Sequence, residues 1–503
     1  MRKRIILLLL SIFCISMLTY GVDAWIRINQ LGYLPNAQKK AILISESSQQ
    51  INQFSIHDAL TNEELGLFNS VTNKGEFQSF KSTYILDFSD FHIQGAFYIK
   101  AGLIYSPTIF INKNVYLGTA DFLLNYIRQQ RCGFNSTADE LTYLSTGYET
   151  VGEEQKQTTL KSSEEKPVTN KDDAAKNSAK KTKLSKKTDE TPESVKPKFV
   201  DVKGGWVEGS DNVQFGATSA SSIYQMLFAY QMNPTSFTDR YDAAGKPAIN
   251  GIPDILDEAK WGLDWLLKMY PDKEILYHQI AAEDHDNNSF RLLAENKTDN
   301  ASSDIRSVFL ATGKAQGLSD NKNHSTGIAS IAGKYSSAFG LGAEILSKFN
   351  PNYADTLKSK ALEVYQYGKK YLGVCQSIGK SEGSYDEDNW TDDMELAAGQ
   401  LYRLTYEGNY LKEAADFGRM EPVTPWMCSD TARHYQWFPF INLGHYMLAN
   451  VENPRYQKEF GQNLLNGIQR MSLYAGNNPF NVGIPFIRCS NNLVVALATQ
   501  CRL

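Results

Sequence analysis

Six cysteines are spread over 503 residues, at positions 14, 132, 375, 428, 489 and 501, with no CxxC pair and no His/Cys cluster. So wide a scatter argues against a disulfide framework, and the want of clustered soft ligands argues against structural zinc. Neither sign of charge dominates: 51 Lys and Arg face 56 Asp and Glu, a net charge of −5. Such a balance gives no footing to a nucleic acid as partner. Long membrane-spanning runs are missing as well. The apolar run from Ile5 to Leu18 is short, follows Arg2-Lys3-Arg4 and leads to Val22-Asp23-Ala24. It reads as a secretory signal over residues 1–24, cleaved near Ala24, and Cys14 lacks the small preceding residue of a lipoprotein site. The chain is therefore expected to be secreted or periplasmic, with no stable membrane span after cleavage.

Two further absences are local. Between about Gly152 and Lys198 there is no aromatic residue, only a Lys, Glu, Thr, Ser and Asp mixture. Such a segment buries too little apolar surface to offset its chain entropy, so a disordered, solvated insertion is expected over 152–198, with docking to a charged polymer as the other reading. Residues 461–503 contain no Asp or Glu at all.

What is present is the composition of a globular protein with a large core, 42% hydrophobic and 12% aromatic. Short segments, Trp25–Asn29, Lys40–Ile44, Phe54–His57, Thr83–Phe88, Ala96–Lys100 and Thr108–Ile111, are separated by Asn, Gly, Asp and Ser, and predict a β-sandwich over 25–113. Helical periodicity begins near Tyr116, and helices are expected at about Phe215–Met232, Pro253–Tyr270, Thr326–Phe349, Tyr353–Tyr371, Thr391–Tyr406, Asn409–Gly418, His434–Ala449, Pro454–Tyr474 and Asn492–Leu503. Paired helices joined by polar, aromatic loops, with no strand pattern between them, predict an α/α toroid with a cleft on one side.

The stretch Val202-Lys-Gly-Gly-Trp-Val-Glu-Gly-Ser-Asp-Asn-Val-Gln-Phe215 puts two acids, Glu208 and Asp211, in one Gly-rich turn before a long apolar helix. Acids so placed can converge on a water molecule, and a carboxylate that takes a proton from water is what a hydrolase needs. Equally, Ser210 and Asp211 before a helix suit capping its positive end.

The surroundings carry a resemblance. Gly-Gly-Trp followed by acid, two small residues and Asp, the later Asn250-Gly-Ile-Pro-Asp-Ile-Leu-Asp-Glu-Ala-Lys-Trp-Gly-Leu-Asp-Trp265, and a Gln-Arg-Cys-Gly ending at Gly133 resemble the family 9 glycoside hydrolases. That resemblance implies an (α/α)6 barrel, preceded in many members by an immunoglobulin-like domain whose start Ile26-Arg-Ile-Asn-Gln-Leu-Gly-Tyr-Leu-Pro35 is similar. The fold class is thus a multidomain chain: an immunoglobulin-like β-sandwich, then an (α/α)6-type toroid over 114–503.

The resemblance also implies roles. Asp211 falls on the general base and Glu208 on the residue that helps hold the water, one methylene longer than the family's Asp. Around the cleft it points to Trp206, His278 (with His285), Trp390, Trp426, Arg433, His434, Tyr435 and Trp437 as sugar-binding candidates, with packing as the alternative for each. Asp392 and Asp393 fall where some members bind calcium; a negatively charged first helical turn is the other reading. No cofactor is required. The partner implied is a polysaccharide, β-1,4-glucan or a related plant polymer, hydrolysed with inversion in the manner of a cellulase. The family's general acid is a Glu near the C-terminus, and the acid-free residues 461–503 offer none, so the toroid is expected to stop short of completion. Two rivals follow: a carbohydrate-binding protein without turnover, and an α/α-toroid polysaccharide lyase working through Tyr, His or Lys. Nothing in the sequence sets an oligomeric state.

Overall fold

The computed structural model describes residues 23–132, 134–135, 140–141, 146–150, 199–208, 213–281, 305–317, 322–378, 387–420, 442–475, 478, 480–484 and 490–503. Residues 1–22 of the expected signal segment 1–24 and the whole of the expected insertion, 152–198, lie outside them.

The N-terminal part is a sandwich of nine strands: β1 (Ala24–Arg27), β2 (Lys40–Ser45), β3 (Phe54–Asp58), β4 (Glu64–Phe68), β5 (Val71–Phe77), β6 (Phe80–Asp87), β7 (Gly95–Ala101), β8 (Ile104–Tyr105) and β9 (Ile109–Ile111). One sheet has the order β1-β2-β6-β5; the other runs β4-β3-β7-β8, with β9 on β7. Alternation along the strands turns Ile26, Leu43 and Leu86 from the first sheet toward Phe54, Ile56, Phe97 and Ile99 from the second, and all seven are buried. Strands β4 and β5 have no counterpart among the sequence expectations. Strand β5 reads Val71-Thr-Asn-Lys-Gly-Glu-Phe77, a polar edge strand whose apolar content is too thin to signal β structure.

The helical part begins with α1 (Thr119–Arg128), followed by α2 (Gly216–Met232), α3 (Asp254–Met269), α4 (Ala329–Leu346), α5 (Pro351–Lys370), α6 (Thr391–Thr405), α7 (Gly408–Met420), α8 (Leu443–Ala449), α9 (Pro454–Ala475) and α10 (Ser490–Arg502). Burial sorts α4 to α8 into inner and outer members. Helix α4 buries 17 of its 18 residues, α5 6 of 20, α6 8 of 15, α7 3 of 13 and α8 5 of 7, so inner and outer alternate along the chain. Such a path suits α4, rich in Ala, Gly and Ser: a Cβ on Gly333 would sit 2.7 Å from the Asp393 carbonyl carbon, so α6 packs against bare backbone there. Among the described residues no helix is long and apolar enough to cross a membrane.

One expectation fails here. Strands do occur within the helical part: β10 (Phe134–Asn135) pairs with β11 (Glu140–Leu141), and β12 (Thr146–Thr150), β13 (Phe199–Asp201), β14 (Gln214–Phe215), β15 (Tyr277–Ala281) and β16 (Ile305–Leu310) form a sheet of order β13-β12-β16-β15-β14. Each has two to six residues, and those of the larger sheet mostly pair with strands far along the chain, so no local periodicity announces them. Because β14 pairs antiparallel with β15, Phe215 opposite Gln279, the exit of the acid-bearing turn is fastened to this sheet.

Candidate active site

The turn that starts at Glu208 is held from several sides. Gly204 and Gly205 have φ of +117° and +69°, and a Cβ on Gly205 would lie 2.5 Å from Cδ2 of Trp265, so only glycine lets the chain pass over that buried indole. Three indole N–H groups tie the stretch that leads into it. Trp265 Nε1 reaches the Val202 carbonyl at 3.1 Å, Trp261 Nε1 the Gly205 carbonyl at 2.9 Å, and Trp206 Nε1 the Glu258 carboxylate at 2.8 Å. The backbone of residues 130–132 adds an antiparallel bridge: Cys132 N donates to Gly205 O at 2.9 Å, and Val207 N to Gln130 O at 3.0 Å.

Beyond Trp206 the amide of Glu208 donates to Val213 O at 3.0 Å, closing the chain across positions 209–212. The half-buried Glu208 carboxylate accepts the hydroxyl of Thr218 from the first turn of α2. One carboxylate oxygen is thereby oriented by a helix, while α2 itself draws no side-chain cap from its N-cap residue, Phe215. Asp211 lies outside the described residues; its flanks, Glu208 and Val213, are both tied.

The other expected site residues separate into three groups. Trp206 is only 6% exposed, its ring seated on Gly262, where a Cβ would come within 2.2 Å of Cη2. It is therefore buried at the entry to the turn, an environment that suits packing, the other reading of this residue. His278 is also buried, on β15, with its ring 6.3 Å from that of Phe309. Burial pushes its pKa down to about 4, against a smaller upward pull from Gln316, so the imidazole is neutral at physiological pH and does not face an open cleft. Trp390 is half-buried at the N-cap of α6, edge-on to Phe417 at 5.8 Å. Trp426, Arg433, His434, Tyr435, Trp437 and His285 fall outside the described residues.

Asp393, a candidate for calcium, is engaged otherwise: its carboxylate holds Lys334 Nζ at 2.5 Å, and the same ammonium is paired with Glu387. Burial disfavours that ammonium, yet Asp393 and Glu387 outweigh it and hold Lys334 charged. A cation at Asp393 would have to displace a buried lysine. Asp392 adds a further negative charge beside it, and among the described residues no group of three or more His, Cys, Asp or Glu is arranged to hold a metal ion.

Among the buried acids not assigned roles from sequence, two hold close partners of their own. Glu258 on α3 is fully buried and collects Trp206 and Arg131. Its signal is legible afterwards: Glu258 lies in helical phase with Ile255, Gly262 and Leu266, a charge on the buried face of an amphipathic helix. Glu395 on α6 meets His445 Nδ1 at 2.6 Å, and burial pushes its pKa up despite that partner.

The arrangement sets the Glu208 carboxylate beside the first turn of α2 and next to a small sheet. Comparison with known proteins places it. The pattern of the cellulase N-terminal ig-like domain matches residues 22–106, and that of glycosyl hydrolase family 9 matches residues 116–500. A cellodextrinase of Butyrivibrio fibrisolvens is 24% identical over 454 residues, 89% of this chain and 70% of its own length. Endoglucanase C of Cellulomonas fimi is 23% identical over 484 residues, 88% of this chain and 38% of its own. Among solved structures, a metagenome-derived family 9 endoglucanase superposes with a TM-score of 0.69 at 19% identity, covering 95% of this chain and 78% of that one. A Bacteroides ovatus family 9 protein gives 0.62 at 18% identity, covering 92% and 75%. With a match that spans more than three quarters of its length, preceded by the matching immunoglobulin-like domain, the chain belongs to glycosyl hydrolase family 9.

Proposed function

We propose that this chain is a secreted glycoside hydrolase acting on β-1,4-glucan, with Asp211 as the base that takes a proton from the attacking water and Glu208 as the group that helps hold that water. The supporting observation is the way the flanks of Asp211 are tied. Glu208 is fixed through its amide to Val213 and through its carboxylate to Thr218, so a water bridging the two acids would meet one preset oxygen. The names of the relatives, a cellodextrinase and an endoglucanase, support a β-1,4-glucan as the substrate class. Attack by that water on the anomeric carbon gives inversion, and the departing oxygen needs a proton from a second carboxyl group some 6.5–9.5 Å away. The two family matches, 22–106 and 116–500, support a boundary between the domains near residue 113.

A second reading is glucan binding without turnover. Reducing-sugar release and affinity, measured on the same soluble glucan with the parent and Asp211→Asn, separate the two. Release by the parent, lost in the variant with affinity retained, is the expected result. Binding by both with release by neither establishes the second reading.

A further inference from the structure

We infer that Glu258 is a positioning residue for the hydrolytic turn, holding it through the indole of Trp206; the inference rests on the reading of Glu208 and Asp211 given above. Three separate stretches of chain converge on this one carboxylate. From α3 itself, Glu258 is fully buried. From the end of α1, Arg131 donates Nε at 3.1 Å and Nη2 at 2.8 Å, while Arg128 Nε stands 3.4 Å away. From the turn, Trp206 donates Nε1 at 2.8 Å.

A buried carboxylate is costly unless its lone pairs are filled, and one that is filled in this way becomes a fixed point. Here the donors are themselves immobile. Arg131 lies over the Trp261 ring at 4.5 Å and spends Nη1 on the Ala243 carbonyl at 2.8 Å; Arg128 lies over Tyr241 at 4.7 Å. The backbone of Arg131 also pairs with that of Trp206, so side chain and main chain bring the same two residues together. Gly262 removes the remaining freedom, because the indole rests on bare helix backbone.

Trp206 precedes Glu208 by two residues. A rotation of the indole is therefore passed directly to the carboxylate that orients the water. Without Glu258, two buried guanidiniums lose their anion and the indole N–H loses its acceptor, and the turn relaxes away from its preset geometry. Misplacement of a reacting group by about 1 Å costs up to roughly 10²-fold in rate. Because the sugar rings themselves do not touch Glu258, the loss falls on kcat and leaves KM nearly unchanged.

The test uses the full chain with Glu258→Ala, Glu258→Gln and, as a distant control at a half-buried, paired acid, Glu413→Gln, whose carboxylate serves Tyr365 and Lys369. In Glu258→Ala we expect kcat on a soluble cello-oligosaccharide to drop about 10–100-fold with KM within about twofold. The Trp206 indole N–H resonance shifts, and exchange of the Glu208 amide quickens at least about tenfold, as that amide depends on the closed turn. Glu258→Gln keeps an acceptor oxygen and restores part of each change; Glu413→Gln produces none. An unmoved indole resonance with parent-like exchange at Glu208 overturns the inference, as does a loss confined to KM. If the parent itself hydrolyses nothing, the functional reading fails while indole and exchange still decide the positioning. Should Glu258→Ala not fold, Glu258→Gln supplies the same readouts.

Discussion

Lys334→Met removes the single cation from a pair of buried acids. The ammonium sits on the innermost helix, α4, with side-chain exposures of 6% for Lys334, 2% for Glu387 and 11% for Asp393. Methionine fills nearly the same volume, so packing is largely retained and the electrostatic consequence is isolated. Two carboxylates would then be left without their counter-ion, and breaking a buried pair by removing one partner costs about 3–5 kcal/mol. At neutral pH the deficit is at its largest. Burial pushes the Asp393 carboxyl above its usual range, so without its cation it destabilises the fold where it must ionise, and the penalty fades as pH falls toward about 4. Restoring neutrality in Lys334→Met/Asp393→Asn/Glu387→Gln should recover most of the loss, since a buried ion pair contributes little net stability over uncharged replacements. Urea titrations followed by far-ultraviolet circular dichroism at pH 7 and pH 4.5 read both effects. A single variant within about 1 kcal/mol of the parent at pH 7, or a deficit that grows on acidification, would refute the reasoning.

His278 is neutral in the fold, its pKa lowered by burial to about 4, and it titrates near 6.5 when unfolded. A depressed histidine contributes stability above the unfolded value that is lost as pH falls from about 6.5 toward 4, so His278→Gln should flatten that part of the melting-temperature profile relative to the parent. Helix α1 carries a second apolar stripe, with Phe122, Leu123 and Tyr126 at 75%, 58% and 63% exposure, on the side away from buried Leu124. Phe122→Glu with Leu123→Lys is expected to lower dye binding to exposed apolar surface and to reduce self-association in sedimentation, with the melting temperature little changed. A fall of more than a few degrees would mean that the stripe is packed.

Element by element, the sequence read well where a pattern is local. The helical period of Thr391–Thr405 and Pro454–Ala475 and the alternation in Lys40–Ser45 and Gly95–Ala101 all depend on near neighbours. The polar edge strand β5 was illegible because its apolar content is too thin, and the short strands of the five-stranded sheet because their identity comes mostly from partners tens of residues away. Trp206 shows the same division at a single residue. Its side chain suits a sugar face or a core equally, and the choice was made by Glu258, 52 positions on. Asp393 likewise reads as an oxygen ligand until Lys334, 59 positions earlier, takes it.

By itself the sequence determined the order of a strand-rich domain and a helical one, and the motif Gly204-Gly205-Trp206 that admits a buried indole beneath it. These follow from periodicity, backbone freedom and the chemistry of single side chains. Tertiary structure alone decided which polar groups are filled and by whom: Glu258 by Arg131 and an indole, with Arg128 beside them, and Lys334 by two acids. The physical reason is that desolvation and hydrogen-bond satisfaction depend on distance in space, and only the folded chain brings those residues within reach of one another.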